Sequence, residues 1–241
     1  MQSPTALLII DYTNDFVDER GALTCGQPAQ QIATTIVSLA DRALKAGQWV
    51  ILPTDVHQPH DPYHPESKLF PPHNQRNTWG RQFYGPLKEW YQAHQANDHV
   101  VLLDKTRYSA FCGTRLQLFL QERGIRHLAL TGVCTDICVL HTAVDAYNRG
   151  YKLTVYQDAV AALTPTGQEW ALQHFQTVLG AEVLLGVNQM NNHALLTDLY
   201  EFSIANGYLA TLPDDRWAVF DVFFRTVPDD GSFVIAAGLA Q

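Results

Sequence analysis

Short, wholly apolar runs recur along the first three quarters of the chain and constrain its fold more than any other feature. The clearest is "ALLII" at 6–10, and the others lie at 49–55, 99–105, 127–132, 152–158 and, more weakly, 181–186. Amphipathic helical patterns lie between them, at 30–47, 113–124, 136–150 and 163–180. Strands that are apolar throughout are covered on both faces, and their alternation with helices is typical of a parallel sheet. We therefore predict an α/β domain with three layers, α/β/α, and a mostly parallel six-stranded sheet.

The pattern changes after about Gly186, so we predict a domain over 1–186 followed by a different segment over 187–241. The segment begins with a polar linker, continues with a helical pattern over 195–209, and ends with two strand patterns at 217–225 and 232–238. It is short for an independent hydrophobic core. We expect a short, incomplete α+β extension.

Composition and charge exclude several classes of partner. The formal net charge is −8, and no cluster of lysine or arginine is present, which argues against nucleic acid and anionic membranes. No apolar run reaches the roughly 18–20 residues that span a bilayer, and the start of the chain reads as a strand rather than a signal peptide. Four scattered cysteines then favour a reducing cytoplasm. The sequence leaves open whether the chain forms a homo-oligomer.

Polar side chains gather where the predicted strands end. Asp11, Lys105 and Cys138 follow the first, third and fourth strands, and ligands of open parallel sheets bind beyond these carboxyl ends. Each has an ordinary explanation alone: the aspartate can cap a loop, the lysine can be solvated, and the cysteine can be a small buried hydrophobe.

Together the three residues form a coherent amide hydrolase site. A thiol attacks as the thiolate, and we expect the helix that follows Cys134 and the charge of Lys105 to lower the pKa of Cys138. Asp11 can accept the thiol proton and later pass it to a leaving amine. Backbone N–H groups in the bend at 133–138 can hold an oxyanion.

The loop over 54–74 is a candidate metal site. It contains four of the ten histidines, His57, His60, His64 and His73, and Asp55 points to the same side of the strand end as His57. Mixed histidine and carboxylate ligands suit Zn²⁺, Fe²⁺ or Mn²⁺. A solvated, proline-stiffened loop that binds nothing explains the same pattern.

Three aromatic side chains, Phe16, Phe70 and Tyr108, lie just after the strand ends or within this loop. They can line a flat pocket for a ring, and ordinary core packing explains them equally well. Both interpretations stay open on the sequence alone.

Four motifs resemble a known family, the isochorismatase-like cysteine hydrolases, and most closely their nicotinamidase branch. They are "LLIIDYTNDF", "DVH…HPESKLFPPH", "DKTRYSAF" and "GVCTDICVLHTAVDAYNRG", which occur in this order within residues 5–186. The resemblance implies a triad of Asp11, Lys105 and Cys138 that hydrolyses nicotinamide, and also pyrazinamide, through a thioester. It also implies a cis peptide bond before Cys134 and an oxyanion site made by the backbone N–H groups of Cys134 and Cys138. The thiol of Cys134 would then be incidental.

The same resemblance implies one divalent metal ion, with Zn²⁺ favoured over Fe²⁺ and Mn²⁺. Its implied ligands are Asp55, His57, Glu66 and His73. In that family the metal binds the pyridine nitrogen of the substrate, and the positions of Phe16, Phe70 and Tyr108 line the ring pocket. The alternatives are a related hydrolase that acts on another amide and a non-catalytic protein.

The tail resembles the N-terminus of a second family, nicotinate phosphoribosyltransferase. The motifs are "NNHALLTDLYEFSIANGYL" and "AVFDVFFRTVPDDGSFVIAAGL", within residues 191–241. The resemblance implies a fusion of two consecutive steps of NAD salvage. The phosphate-binding part of that family lies further downstream, so we expect a truncated segment without transferase activity. In the non-catalytic alternative, this tail would recruit the transferase.

Overall fold

The structure is a computed structural model that describes residues 5–186, 220–226 and 233–239. The chain divides into two compact units, Met1–Asn192 and His193–Gln241. The assignment of 1–186 and 187–241 to two different families stays a prediction.

Six strands of the first unit form one sheet in which every pairing is parallel. They are β1 (Thr5–Ile10), β2 (Trp49–Asp55), β3 (Val100–Lys105), β4 (His127–Val133), β5 (Lys152–Ala161) and β6 (Glu182–Leu184). Their spatial order is β3-β2-β1-β4-β5-β6. The predicted six-stranded sheet is therefore confirmed, and the order reverses between β1 and β4. Open α/β sheets bind ligands at such a reversal, beyond the carboxyl ends of the strands.

Seven α-helices are described between and beside these strands. They are α1 (Asn14–Val17), α2 (Gln27–Gln31), α3 (Ala33–Lys45), α4 (Gly85–His94), α5 (Leu116–Glu122), α6 (Leu140–Asn148) and α7 (Pro165–Thr177). The prediction of one helix over 30–47 was wrong in one detail, because two helices occupy this region and Ile32 separates α2 from α3. The cap of α7 is as expected, since Thr164 Oγ1 accepts a hydrogen bond from Gly167 N–H. The sequence pattern did not predict α4.

Alternating side chains of β1 enter two separate hydrophobic layers. Ala6, Leu8 and Ile10 pack on the face that α5, α6 and α7 cover, whereas Leu7 and Ile9 pack on the face that α2, α3 and α4 cover. All five of these side chains are buried. This two-sided burial explains why the strand is apolar throughout and confirms the three-layer α/β/α architecture.

The second unit contains two antiparallel strands, β7 (Phe220–Thr226) and β8 (Phe233–Leu239). They agree closely with the strand patterns seen at the end of the sequence. The linker and the helix predicted over 195–209 lie outside the described residues. None of the helices described is both long enough and apolar enough to span a bilayer.

Gly132 lets β4 approach β1 beside the reversal of strand order. Its φ is 106°, and a Cβ atom built there would lie 2.0 Å from the carbonyl oxygen of Ile10. We expect Gly132→Ala to lower the free energy of unfolding by more than about 2 kcal/mol, because it adds a backbone clash to an unfavourable φ. Urea denaturation measures this change.

Gly150 provides the matched control, since its φ is 77° and nothing lies within 4 Å of a Cβ built there. Gly150→Ala therefore tests the conformational penalty alone, which is about 1 kcal/mol. Equal losses for the two variants would contradict the close approach of β1 and β4.

Candidate active site

Lys105, the last residue of β3, is the centre of the polar cluster at the carboxyl ends of the strands. Its Nζ lies 2.7 Å from Asp11 Oδ2, 3.6 Å from Asp55 Oδ1 and 3.8 Å from Cys138 Sγ. Nζ also donates a hydrogen bond to the carbonyl oxygen of Arg107. All three partner side chains and Lys105 itself are at most 6% exposed. The structure thus brings together the three residues that the sequence assigned to the triad.

Asp11 connects the lysine to the end of the neighbouring strand. Its Oδ1 accepts a hydrogen bond from the backbone N–H of Asp55 at 2.7 Å, and its φ of 54° is one that aspartate tolerates better than most residues. Burial raises the pKa of Asp11 to about 6, although the charge of Lys105 opposes this rise. A buried carboxylate with this pKa can accept a proton and return it near neutral pH.

Cys138 lies in a π-helical turn, Thr135–Val139, which leads directly into α6. Cys134 precedes this turn, and the peptide bond between Val133 and Cys134 is cis, as the resemblance implied. The turn therefore places Cys134 and Cys138 at the end of β4, where the strand order reverses.

The expectation for the thiol pKa was wrong. Burial raises the pKa of Cys138 well above its usual value, and the charge of Lys105 lowers it too little to compensate. Removing the thiol from water disfavours the thiolate more than the lysine favours it. Burial therefore opposes ionisation of Cys138, and the thiol proton needs an acceptor when Sγ attacks.

The four predicted metal ligands, Asp55, His57, Glu66 and His73, form a buried cluster beside Lys105. One ligand atom from each residue lies within 4.8 Å of all the others. His57 Nε2 is 2.5 Å from Asp55 Oδ2, while His73 Nε2 is 3.4 Å from Glu66 Oε2 and 3.6 Å from Asp55 Oδ2. Histidine nitrogens and carboxylate oxygens at this spacing are a donor set for Zn²⁺ and other divalent transition metals.

Two further observations show that this cluster suits a cation. His73 Nδ1 donates to the carbonyl oxygen of Pro71, whereas its buried Nε2 has no hydrogen-bond partner, as expected of a ligand atom. Burial alone would lower the pKa of His73, but its contacts with Asp55 and Glu66 raise it to about 10. The carboxylates therefore favour positive charge at the position of the implied ion, and the residues fit a metal.

Only two of the four histidines in the loop belong to this cluster. His60 is exposed and has a φ of 61°. His64 is buried, but Nε2 contacts the carbonyl oxygen of Thr106 and Nδ1 accepts a hydrogen bond from Glu66 N–H. Neither residue belongs to the cluster of Asp55, His57, Glu66 and His73, and spacing alone did not separate them from His57 and His73.

The predicted ring-binding side chains have different surroundings. The rings of Phe16 and Phe70 lie 5.5 and 6.2 Å from the ring of His73, measured between centroids. Phe70 also lines a cavity of about 360 Å³ together with His57, Glu66 and His73. Tyr108 packs against His141, with ring centroids 5.2 Å apart, and burial raises its pKa, with a further rise from the charges of Glu66 and Asp55.

Three residues near the cluster were missed by the sequence analysis. Arg81 Nε donates to the carbonyl oxygen of Asp55, and its guanidinium pairs with Asp104. Gln168, on α7, contacts Thr135 Oγ1 in the π turn at 2.6 Å. Cys25 Sγ lies 3.2 Å from Cys134 Sγ. These contacts join residues 23 to 109 positions apart, so no local motif signals them.

Comparison with known proteins shows close relatives. An uncharacterized isochorismatase family protein, PncA of Bacillus subtilis, is 52% identical over 178 residues, which cover 74% of this chain and 97% of the relative. A crystal structure of nicotinamidase/pyrazinamidase PncA from Bacillus subtilis superposes with a TM-score of 0.74 and 53% identity, covering 75% of this chain and 99% of that one. A pyrazinamidase/nicotinamidase from Streptococcus mutans gives a TM-score of 0.74 and 49% identity over the same share of both chains.

Two more distant relatives bear on metal and activity. A pyrazinamidase of Pyrococcus horikoshii, solved in complex with zinc, is 25% identical with a TM-score of 0.65 and covers 75% of this chain and 98% of its own. A probable inactive nicotinamidase of Arabidopsis thaliana is 34% identical over 67% of this chain and 82% of its own. The isochorismatase domain matches residues 5–185. Together with the parallel sheet and the polar cluster at its switch point, these similarities show that the chain belongs to the isochorismatase family.

Proposed function

We propose that this chain is a nicotinamidase, which hydrolyses nicotinamide to nicotinate and ammonia. The observation that carries the proposal is the position of the Lys105 ammonium, which contacts Asp11 and Cys138 on one side and Asp55 of the metal cluster on the other. The Lys105 ammonium therefore contacts both the proposed nucleophile and the candidate metal site. The similarity to nicotinamidases from Bacillus subtilis and Streptococcus mutans supports the choice of substrate.

In the proposed mechanism, Asp11 takes the thiol proton of Cys138 as Sγ bonds to the carboxamide carbon. The carbonyl electron pair moves onto oxygen, and the backbone N–H groups of Cys134 and Cys138 donate hydrogen bonds to this oxyanion. Asp11 returns the proton to the amide nitrogen, the C–N bond breaks, and ammonia leaves a thioester on Cys138. The raised pKa of Asp11 suits both transfers.

The second half of the reaction uses the same groups. Asp11 accepts a proton from water as the water oxygen bonds to the thioester carbon. The C–S bond then breaks, and the proton returns to Cys138 Sγ. Throughout, the fixed charge of Lys105 stabilises the negative charge that moves between Asp11 and Sγ.

The metal cluster has a separate role in the proposal. Asp55, His57, Glu66 and His73 would hold one divalent ion, with Zn²⁺ favoured by the donor set and by the zinc complex of the Pyrococcus horikoshii relative. When bound, such an ion supplies a coordination position for the ring nitrogen of a pyridine carboxamide. Phe16, Phe70 and Tyr108 would pack against the ring.

The test is ammonia release from nicotinamide by the purified chain, before and after chelation and after addition of Zn²⁺, Fe²⁺ or Mn²⁺. We expect activity with nicotinamide and pyrazinamide, a loss of at least about tenfold on chelation, and recovery with one of the metals. Hydrolysis of aliphatic amides in preference to nicotinamide would favour the alternative of a related amide hydrolase. A folded, metal-loaded chain that hydrolyses none of these amides would contradict the proposal.

The tail extends the proposal to NAD salvage in the cytoplasm. Its motifs over 191–241 resemble nicotinate phosphoribosyltransferase, which would consume the nicotinate that this site releases. The four cysteines scattered along the sequence are the basis for proposing a reducing compartment. Isothermal titration calorimetry of the full chain with full-length nicotinate phosphoribosyltransferase tests the link. If no binding heat is seen and neither the hydrolase rate nor the transferase rate changes on mixing, the link is opposed.

A further inference from the structure

His64 is a buried histidine that touches the metal cluster without belonging to it. It is 8% exposed and lies between Glu66 and the loop that follows β3. We propose that His64 is a positioning residue that holds Glu66 and His57 in place for metal binding. This inference depends on the proposed metal cluster but not on the proposed substrate.

The two ring nitrogens of His64 are both used, and their partners fix one tautomer. The carbonyl oxygen of Thr106 can only accept, so Nε2 donates to it at 2.7 Å. The backbone N–H of Glu66 can only donate, so Nδ1 accepts from it at 3.3 Å. The Nε2–H tautomer satisfies both partners and leaves no lone pair for a metal.

Through these bonds His64 attaches the ligand-bearing turn to the sheet. Glu66 lies in a short 3₁₀ turn, Pro65–Lys68, and its neighbours Pro65 and Ser67 are exposed. His64 caps this turn and at the same time bonds Thr106, which directly follows Lys105 at the end of β3. One side chain therefore fixes the distance between the turn that presents Glu66 and the strand end that presents Lys105.

The ring of His64 also limits the orientation of a second ligand. It packs edge-on against the ring of His57, with centroids 4.3 Å apart and an interplanar angle of 62°. The ring of His57 also contacts the ring of His73, with centroids 4.4 Å apart. Residues that orient metal ligands typically change metal affinity 10–100-fold when they are replaced. We expect an effect of this size at His64.

The experiment is a Zn²⁺ titration of the metal-stripped full chain in competition with a chromophoric chelator. We expect His64→Ala to raise the zinc dissociation constant about 10–100-fold, because the Glu66 turn loses its cap and its bond to Thr106. His64→Asn keeps an acceptor for the Glu66 N–H but is too short to reach Thr106, so an intermediate dissociation constant is expected. Thermal unfolding without zinc checks that each variant folds.

Tyr63→Ala is the matched control, since Tyr63 precedes His64 in the loop and is 92% exposed. We expect its zinc affinity to equal that of the unmodified chain. An unchanged dissociation constant in both His64 variants would overturn the inference, as would an equal loss in Tyr63→Ala. If the unmodified chain binds zinc but does not hydrolyse nicotinamide, the proposed function fails while the comparison of variants still decides the role of His64.

Discussion

Replacing Cys138 by alanine is expected to lower nicotinamide hydrolysis by about 10³–10⁶-fold, because the variant lacks the sulfur on which the thioester forms. The ion pair between Lys105 and Asp11 needs no sulfur, so it remains in the variant. Cys138 is a small side chain in the core that also contains Val139 and Leu140, and its loss removes one sulfur atom from that packing. The fold should therefore persist while ammonia release disappears.

The same assay needs a control for the loss of a thiol as such. Cys112 is exposed and lies outside the polar cluster, so Cys112→Ala should keep full activity. Both variants are compared by ammonia release and by thermal unfolding. A folded Cys138→Ala chain that still releases ammonia at the original rate would refute the nucleophile. A loss in Cys112→Ala as large as that in Cys138→Ala would show that the assay reports on something other than this site.

The positions of the six strands could be predicted because burial on both faces requires apolar residues throughout. Because the carboxyl ends of parallel strands share one edge of the sheet, the sequence also predicted that Asp11, Asp55 and Lys105 lie close together. The helix α4 was missed because its buried residues are Leu87 and Trp90, too few for a clear helical period. Sequence pattern thus predicts elements well where burial is extensive and poorly where a helix contacts the core at a few points.

The properties of the site depend on packing that the sequence does not display. The sequence suggested that the following helix and the charge of Lys105 lower the pKa of Cys138. Burial of the thiol raises this pKa, and that burial depends on the packing of the whole core. The loop histidines give a similar case. His64 and His73 have the same chemistry, and only the partners of their nitrogens distinguish an orienting residue from a proposed ligand. Hydrogen-bond partners that are distant in sequence therefore decide the roles.

Lys105→Met is expected to abolish hydrolysis and also to lower the free energy of unfolding by roughly 3–5 kcal/mol. The lysine is buried between the carboxylates of Asp11 and Asp55, so its removal leaves two negative charges without their shared partner. Burial alone would lower the pKa of Lys105, but the charges of Asp11 and Asp55 raise it overall, so the ammonium form is stabilised here. Urea denaturation of the metal-stripped chain measures the loss.

A double variant separates the structural role of this ion pair from its catalytic role. In Asp11→Asn the lysine keeps Asp55 as a partner, so the stability loss should be smaller than in Lys105→Met. Asp11→Asn combined with Lys105→Met removes both members of the closest pair. Its stability loss should therefore fall below the sum of the single losses by at least about 1 kcal/mol. Activity should stay absent in all three variants, because Asp11 moves the proton and Lys105 stabilises the charge. Stability losses that add within about 0.5 kcal/mol would contradict the ion pair. Activity in the double variant would contradict the triad, because that variant lacks both the proton acceptor and the positive charge.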